Sequence, residues 1–111
     1  MTDRLIRATS IAEADIRSID SWWREHRSAA PDLFIDEMLL AASLLQSFPQ
    51  LGKRYPAARV PRLRRYLLRA SRYHIYYLAS PDEVLVLTVW GAVRGTTPNF
   101  KAIADADTLK P

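Results

Sequence analysis

The chain has 111 residues, 49% of them hydrophobic, with a net charge of +4 and no cysteine. That length is one domain's worth of sequence and can bury a small core without covalent staples. Disulfide frameworks and thiolate metal sites are excluded, and His26 and His74 have no carboxylate at ligand spacing, so neither metal nor other cofactor is expected.

The opening Met1-Thr2-Asp3-Arg4 leads into polar sequence rather than an apolar leader. No apolar run approaches the roughly 18 residues of a membrane span. A cytoplasmic protein without a membrane partner is the expectation. Arg4 to Ala8 reads as a short edge strand, with Leu5 and Ile6 too few to decide its face. Ser10-Ile11-Ala12-Glu13 has capping-box spacing, in which a hydroxyl accepts from a free amide and the Glu reaches back. Behind it Ala12, Ile16, Ile19 and Trp23 recur at helical spacing, with Arg17, Asp20, Arg24 and Arg27 turned elsewhere and Trp22 widening the stripe. Pro31-Asp32 suits a second helix start, since proline's missing amide costs nothing there and an acid favours the positive end. Phe34, Met38, Ala41, Leu45 and Phe48 form a second stripe, broadened by Leu40 and Leu44 and stopped by Pro49 and Gly52. The short connection predicts an antiparallel helical hairpin.

From there the period changes. Arg62 to Arg69 reads as a basic strand, Tyr73 to Leu78 as an aromatic and β-branched one, and Ser80-Pro81-Asp82-Glu83 as a turn. Val84 to Trp90 is apolar on both faces, as in a central strand covered by helices on one side and by a loop or partner on the other. Alternation places Tyr73, Ile75 and Tyr77 on one sheet face and His74 and Tyr76 on the other. The three strands predict an antiparallel meander. The fold class is α+β, an N-terminal helical hairpin packed on a small twisted antiparallel sheet. Residues 1–111 read as a single domain, with the tail 95–111 open between a short helix, an added strand and a disordered end.

Charge is unevenly spread. Lys53, Arg54, Arg59, Arg62, Arg64, Arg65, Arg69 and Arg72 are half of the 16 basic residues, and no Asp or Glu lies between Met38 and Pro81. Such a patch attracts polyanions or an acidic partner peptide; the bland alternative is a solvated strand and loop without a ligand. A strand cannot bury arginines unpaired, so Arg59, Arg62, Arg64, Arg65, Arg69, Arg72 and Arg94 are the candidate partner-binding residues. Trp22 and Trp23 point about 100° apart on a helix and read as packing residues rather than a stacking platform. Tyr66, Tyr73, Tyr76 and Tyr77 among arginines do look like a stacking and phosphate-binding surface, although alternation commits at least one of Tyr73, Tyr76 and Tyr77 to the core.

The order of these elements, with Ala14-Asp15-Ile16, the Trp22-Trp23 pair, Pro49-Gln50-Leu51-Gly52, Arg72-Tyr73-His74-Ile75-Tyr76-Tyr77 and Val84 to Trp90, resembles the RelE/ParE toxin superfamily over residues 4 to 95. That resemblance implies the toxin of a type II toxin–antitoxin system, closest to ParE-like plasmid stabilisation toxins. Its expected partner is a ParD-like antitoxin, wrapped around it in a hetero-oligomer. The superfamily holds unlike activities: one branch cuts messenger RNA on the ribosome and the other poisons DNA gyrase. Where RNA-cutting relatives often carry arginine, histidine, paired basic residues and a C-terminal tyrosine, this sequence has His74, Gly91-Ala92-Val93-Arg94, Asn99 and Phe100. The expectation is therefore a gyrase-inhibiting protein that binds another enzyme and performs no catalysis of its own. The alternatives are a ribosome-dependent endoribonuclease using His74, Arg94 and Arg65, and an inactive relative that keeps only antitoxin binding.

Overall fold

The computed structural model describes residues 4–93 and 95–106. Strand β1 (Leu5–Ala8) leads directly into helix α1 (Ser10–His26). The cap is Thr9, one residue before the anticipated Ser10: its hydroxyl accepts from the Ala12 amide at 2.9 Å and donates to the Leu87 carbonyl at 2.7 Å. One buried side chain thus ends the strand, starts the helix and ties both to the sheet, a cap worth about 1 kcal/mol in helix stability alone.

Helix α2 (Leu33–Ser47) follows, with Asp32 at its N-cap making no side-chain capping bond. Asp32 instead meets Arg24 of α1 at 2.8 Å. Of the second stripe, Phe34, Met38, Ala41 and Leu45 are buried as the spacing predicts, but Phe48 is 53% exposed and Leu40 64%. The expected widening therefore fails at the outer flank of α2, which remains apolar and uncovered.

The sheet has five strands in the order β1-β5-β4-β3-β2, where β2 is only Lys53–Arg54, β3 is Arg64–Leu68, β4 is Tyr73–Ala79 and β5 is Glu83–Gly91. The predicted meander is present as β3-β4-β5, antiparallel throughout. Two corrections apply. The edge strand β1 pairs with β5 in parallel, so the sheet is mixed. The basic strand is also shorter than expected: Arg62 sits before it with φ 63° and Arg69 lies in the turn after it. Parallel pairing follows from the crossover, because both helices lie between β1 and the meander.

The core has two layers. Both helices cover one sheet face, where Trp23, Phe34, Met38 and Leu45 pack on Leu68, Ile75, Tyr77, Val84, Val86 and Val89. The opposite face carries Leu63, Tyr76, Leu85 and Leu87, covered by Phe100 and Ile103 of a short C-terminal helix, α3 (Phe100–Ala106). The tail is thus irregular over residues 95–99 and a helix from Phe100 to Ala106, and that helix supplies the second cover that a doubly apolar β5 requires. Val86 and Val89 share a face although three residues apart because the register slips between Tyr76 and Tyr77, leaving Leu87 as the extra residue of β5.

Candidate functional site

The arginines anticipated as one strip are distributed by the fold into separate environments. Arg64 is turned inward. Its guanidinium donates to the Gly52 carbonyl at 2.7 Å and to the Gln50 carbonyl at 3.4 Å, so it fastens the turn after α2 and is not free for a partner. The same turn is held by Tyr77, whose phenol donates to the Pro49 carbonyl and accepts from the Gly52 amide at 2.9 Å. Burial pushes that phenol's pKa up, which keeps it a donor. Gly52 has ordinary extended backbone, but a Cβ there would lie 2.5 Å from the Tyr77 hydroxyl and 2.9 Å from the Arg65 carbonyl. Close approach, rather than unusual dihedrals, requires glycine.

Arg65, Arg69 and His74 do come together. With Lys53, Leu51, Tyr66 and Leu67 they line an open groove of about 420 Å³. Arg65 lies over the Tyr55 ring, 4.4 Å from its centroid, and Tyr55 packs on Tyr76, which in turn packs on Phe100. His74 is half-buried on β4 opposite Leu67 and Trp90. Its pKa is held below the ordinary imidazole value by burial first, then by the Arg65 and Arg72 guanidiniums. A neutral imidazole in a cationic groove is the result.

This groove adjoins an open sheet edge. Strand β2 pairs only with Arg64 and Arg65, so Tyr66, Leu67 and Leu68 have no strand on that side among the described residues. On the other side of the same edge, Leu40, Ala41 and Leu44 of α2 form a second hollow of about 140 Å³ with Tyr66, Leu67 and Arg69. Leu40 and Leu51, which line these two hollows, are 64% and 47% exposed, and Phe48, where α2 ends, is 53% exposed. Unpaired backbone, apolar anchors and cations therefore meet in one place.

The β3–β4 turn is positioned by a residue that sequence reading missed. Glu37 of α2 accepts from the Ala70 amide at 2.8 Å and from the Ser71 amide and hydroxyl at 2.9 and 2.6 Å. Partial burial opposes its ionisation, but the Ser71 hydroxyl and the two amides outweigh it, so its pKa is lowered. The turn it holds carries Arg69 and Arg72. A partner more than 30 residues away leaves no local signal.

Arg72 has φ 69° and faces a different cleft, of about 620 Å³, between α1 and the end of the β4–β5 hairpin, together with Trp22, Trp23, Arg27 and Tyr73. Trp23 is core as expected, whereas Trp22 is 41% exposed, stacked on His26 and overlain by Arg27. Arg59 and Arg62 lie in the loop between β2 and β3, also with positive φ, of 59° and 63°. Arg94 lies outside the described residues. The set of His74, Arg65 and Arg94 considered for RNA cleavage is thus placed only in its first two members. Among the described residues no group of three or more His, Cys, Asp or Glu side chains could hold a metal ion, and no helix is long and apolar enough to cross a membrane.

Comparison with known proteins adds three findings. Residues 6–94 match the family model described as the ParE toxin of the type II toxin–antitoxin system parDE. A solved chain of the chromosomal ParDE TA system from P. aeruginosa superposes with a TM-score of 0.65 at 17% identity, covering 79% of this chain and 95% of that one. No curated protein sequence matches significantly.

Proposed function

The chain belongs to the ParE toxin family of type II toxin–antitoxin systems, and from that membership we propose that it arrests growth by inhibiting DNA gyrase and is neutralised by a ParD-like antitoxin. In this reading it acts in the cytoplasm as a binding inhibitor with no chemistry of its own. The observation that carries the antitoxin half is the flank described above, where the unpaired edge of Tyr66 to Leu68 lies between the exposed leucines of α2 and the cations Lys53, Arg65 and Arg69. An extended acidic segment would add a strand to that edge, place apolar side chains against Leu40 and Leu44, and set carboxylates on the guanidiniums. Backbone pairing supplies affinity there, apolar burial supplies more, and the charges fix register and speed encounter.

The gyrase half rests on family membership together with the sequence at the ribonuclease positions. It is tested by titrating the purified full chain into a gyrase supercoiling assay and, in parallel, into translating ribosomes followed by primer extension on the message. Inhibited supercoiling or trapped cleaved DNA with intact message is the expected outcome. Full supercoiling at saturating protein would sink the reading.

One observation favours a second reading. The neutral His74 imidazole beside Arg65 and Lys53 has the composition of a base with phosphate-holding cations, as cleavage through a 2′-hydroxyl requires. Message cut in the ribosome arm, and spared by His74→Ala, would select an endoribonuclease. Growth unaffected by expression, with antitoxin binding intact, would select an inactive relative.

A further inference from the structure

The loop between β2 and β3 has properties that the α2–β3 flank lacks. Arg54, Arg59 and Arg62 line one open hollow of about 300 Å³ with Tyr55, Val60 and Pro61. All three arginines are exposed, and none takes part in the ion pairs among the described residues, which join Arg7 to Glu83 and Arg24 to Asp20 and Asp32. Among the described residues no carboxylate lines the hollow. Glu83, across a neighbouring hollow from Arg62, is already held by Arg7 through two hydrogen bonds of 2.8 and 3.0 Å.

The backbone is informative too. Arg59 and Arg62 adopt the left-handed region, where a side chain clashes with its own carbonyl and glycine would be cheaper. The arginines here are thus carried against local preference. Strain of this kind concentrates where a side chain serves a purpose other than folding. The loop also offers no apolar anchor: among the described residues, every exposed large hydrophobic side chain lies elsewhere. Protein interfaces depend on a buried apolar centre, whereas binding to a nucleic-acid backbone is dominated by neutralised phosphates and released counterions.

We propose that Arg54, Arg59 and Arg62 form a contact site for the phosphodiester backbone of a nucleic acid, separate from the α2–β3 flank and independent of which enzyme the protein inhibits. The three guanidiniums, unpaired with any described carboxylate, grip successive phosphates while the half-buried Tyr55 and the buried Leu63 below them hold the loop against the sheet. The contact carries no base specificity, because nothing else in the hollow reads a base edge.

Fluorescence anisotropy of the full chain with labelled duplex DNA, single-stranded DNA, RNA and poly-glutamate, across a salt series, tests this. The variant Arg54→Ala/Arg59→Gly/Arg62→Gly removes the cations and relieves the strained backbone at two of them, so a melting temperature equal to or above the parent's excludes misfolding as the cause of lost binding. On duplex, the slope of log affinity against log salt is expected to fall by about 0.9 for each lost phosphate contact. The charge-matched control Arg17→Ala/Arg27→Ala/Lys101→Ala keeps the parent slope. Tighter binding of duplex, single-stranded DNA or RNA identifies which backbone is preferred. Equal loss in the control, no loss in the loop variant, no nucleic-acid binding by the parent chain, or loop-dependent binding of poly-glutamate alone would each overturn the proposal.

Discussion

Asp15 on α1 and Thr88 on β5 are joined across the helix–sheet interface: the Thr88 hydroxyl and the Val89 amide, the latter at 3.1 Å, donate to the same carboxylate oxygen. The bond falls where Leu87 interrupts the register of β5 against β4, so a helix side chain occupies the sheet's irregularity. Asp15→Ala leaves both donors unsatisfied at a largely buried position and is expected to cost about 2–3 kcal/mol, while Thr88→Val removes one bond for about 1 kcal/mol. Urea unfolding of both single variants and the double variant gives the coupling; an Asp15→Ala midpoint equal to the parent's would refute it.

Gly52 and Tyr77 offer a steric test. Gly52→Ala forces a methyl group against the Tyr77 ring and the Arg65 carbonyl, and should destabilise by about 1–3 kcal/mol as other overpacked sites do. Tyr77→Phe removes the clashing hydroxyl and its two hydrogen bonds. In the Tyr77→Phe background Gly52→Ala should cost less than alone, because one of its three close neighbours is gone. Additive losses in thermal unfolding would contradict this.

His74 gives a pH dependence whose sign is fixed. Its folded pKa is depressed, so the unfolded chain binds its proton more readily. The stability it contributes is present above the unfolded imidazole value and is lost as pH falls through the folded one. The melting temperature should therefore drop between about pH 7 and pH 5, more steeply than in His74→Gln. Identical profiles for the two proteins would rule out the titration.

Glu37 controls the turn that carries Arg69 and Arg72. Glu37→Gln keeps an acceptor but loses the charge and presents an amide N–H₂ to donors already aimed at the second oxygen. A loss of about 1–2 kcal/mol is expected, together with faster amide exchange at Ala70 and Ser71. Its depressed pKa makes the parent lose this contribution as pH falls below the carboxylate range. Unchanged exchange at both amides would show that the turn does not depend on Glu37.

The α2 flank predicts a partner-specific effect. Leu40 is 64% exposed, so Leu40→Asp should leave the melting temperature within about 0.5 kcal/mol equivalent of the parent. It should nevertheless weaken antitoxin binding by roughly 10-fold or more, the order expected for an apolar anchor at an interface. Undiminished affinity by calorimetry would move the antitoxin away from this flank.

Much of this molecule is written locally. The stripes Ala12, Ile16, Ile19, Trp23 and Phe34, Met38, Ala41, Leu45 fix two helices because each repeats at the helical period, and the Tyr73, Ile75, Tyr77 alternation assigns sheet faces that the packing bears out. The family follows from the order of the same elements. The errors share one cause. Ser10 looked like the cap because its spacing to Glu13 is a local pattern, but Thr9 caps because the Leu87 carbonyl, far along the chain, accepts from its hydroxyl.

The basic cluster is where the two levels part. Charge and period are properties of neighbouring residues, so the electropositive, acid-free stretch between Met38 and Pro81 and the α+β architecture that displays it are both legible along the chain. What each arginine does was settled by the folded packing. It turned Arg64 onto the Gly52 carbonyl, laid Arg65 over Tyr55 beside His74, and sent Arg72 to the α1 cleft. It left Arg54, Arg59 and Arg62 around a hollow that no described carboxylate lines. A side chain's partner depends on strand register and on which element crosses above it, and these are set by packing between residues distant in sequence.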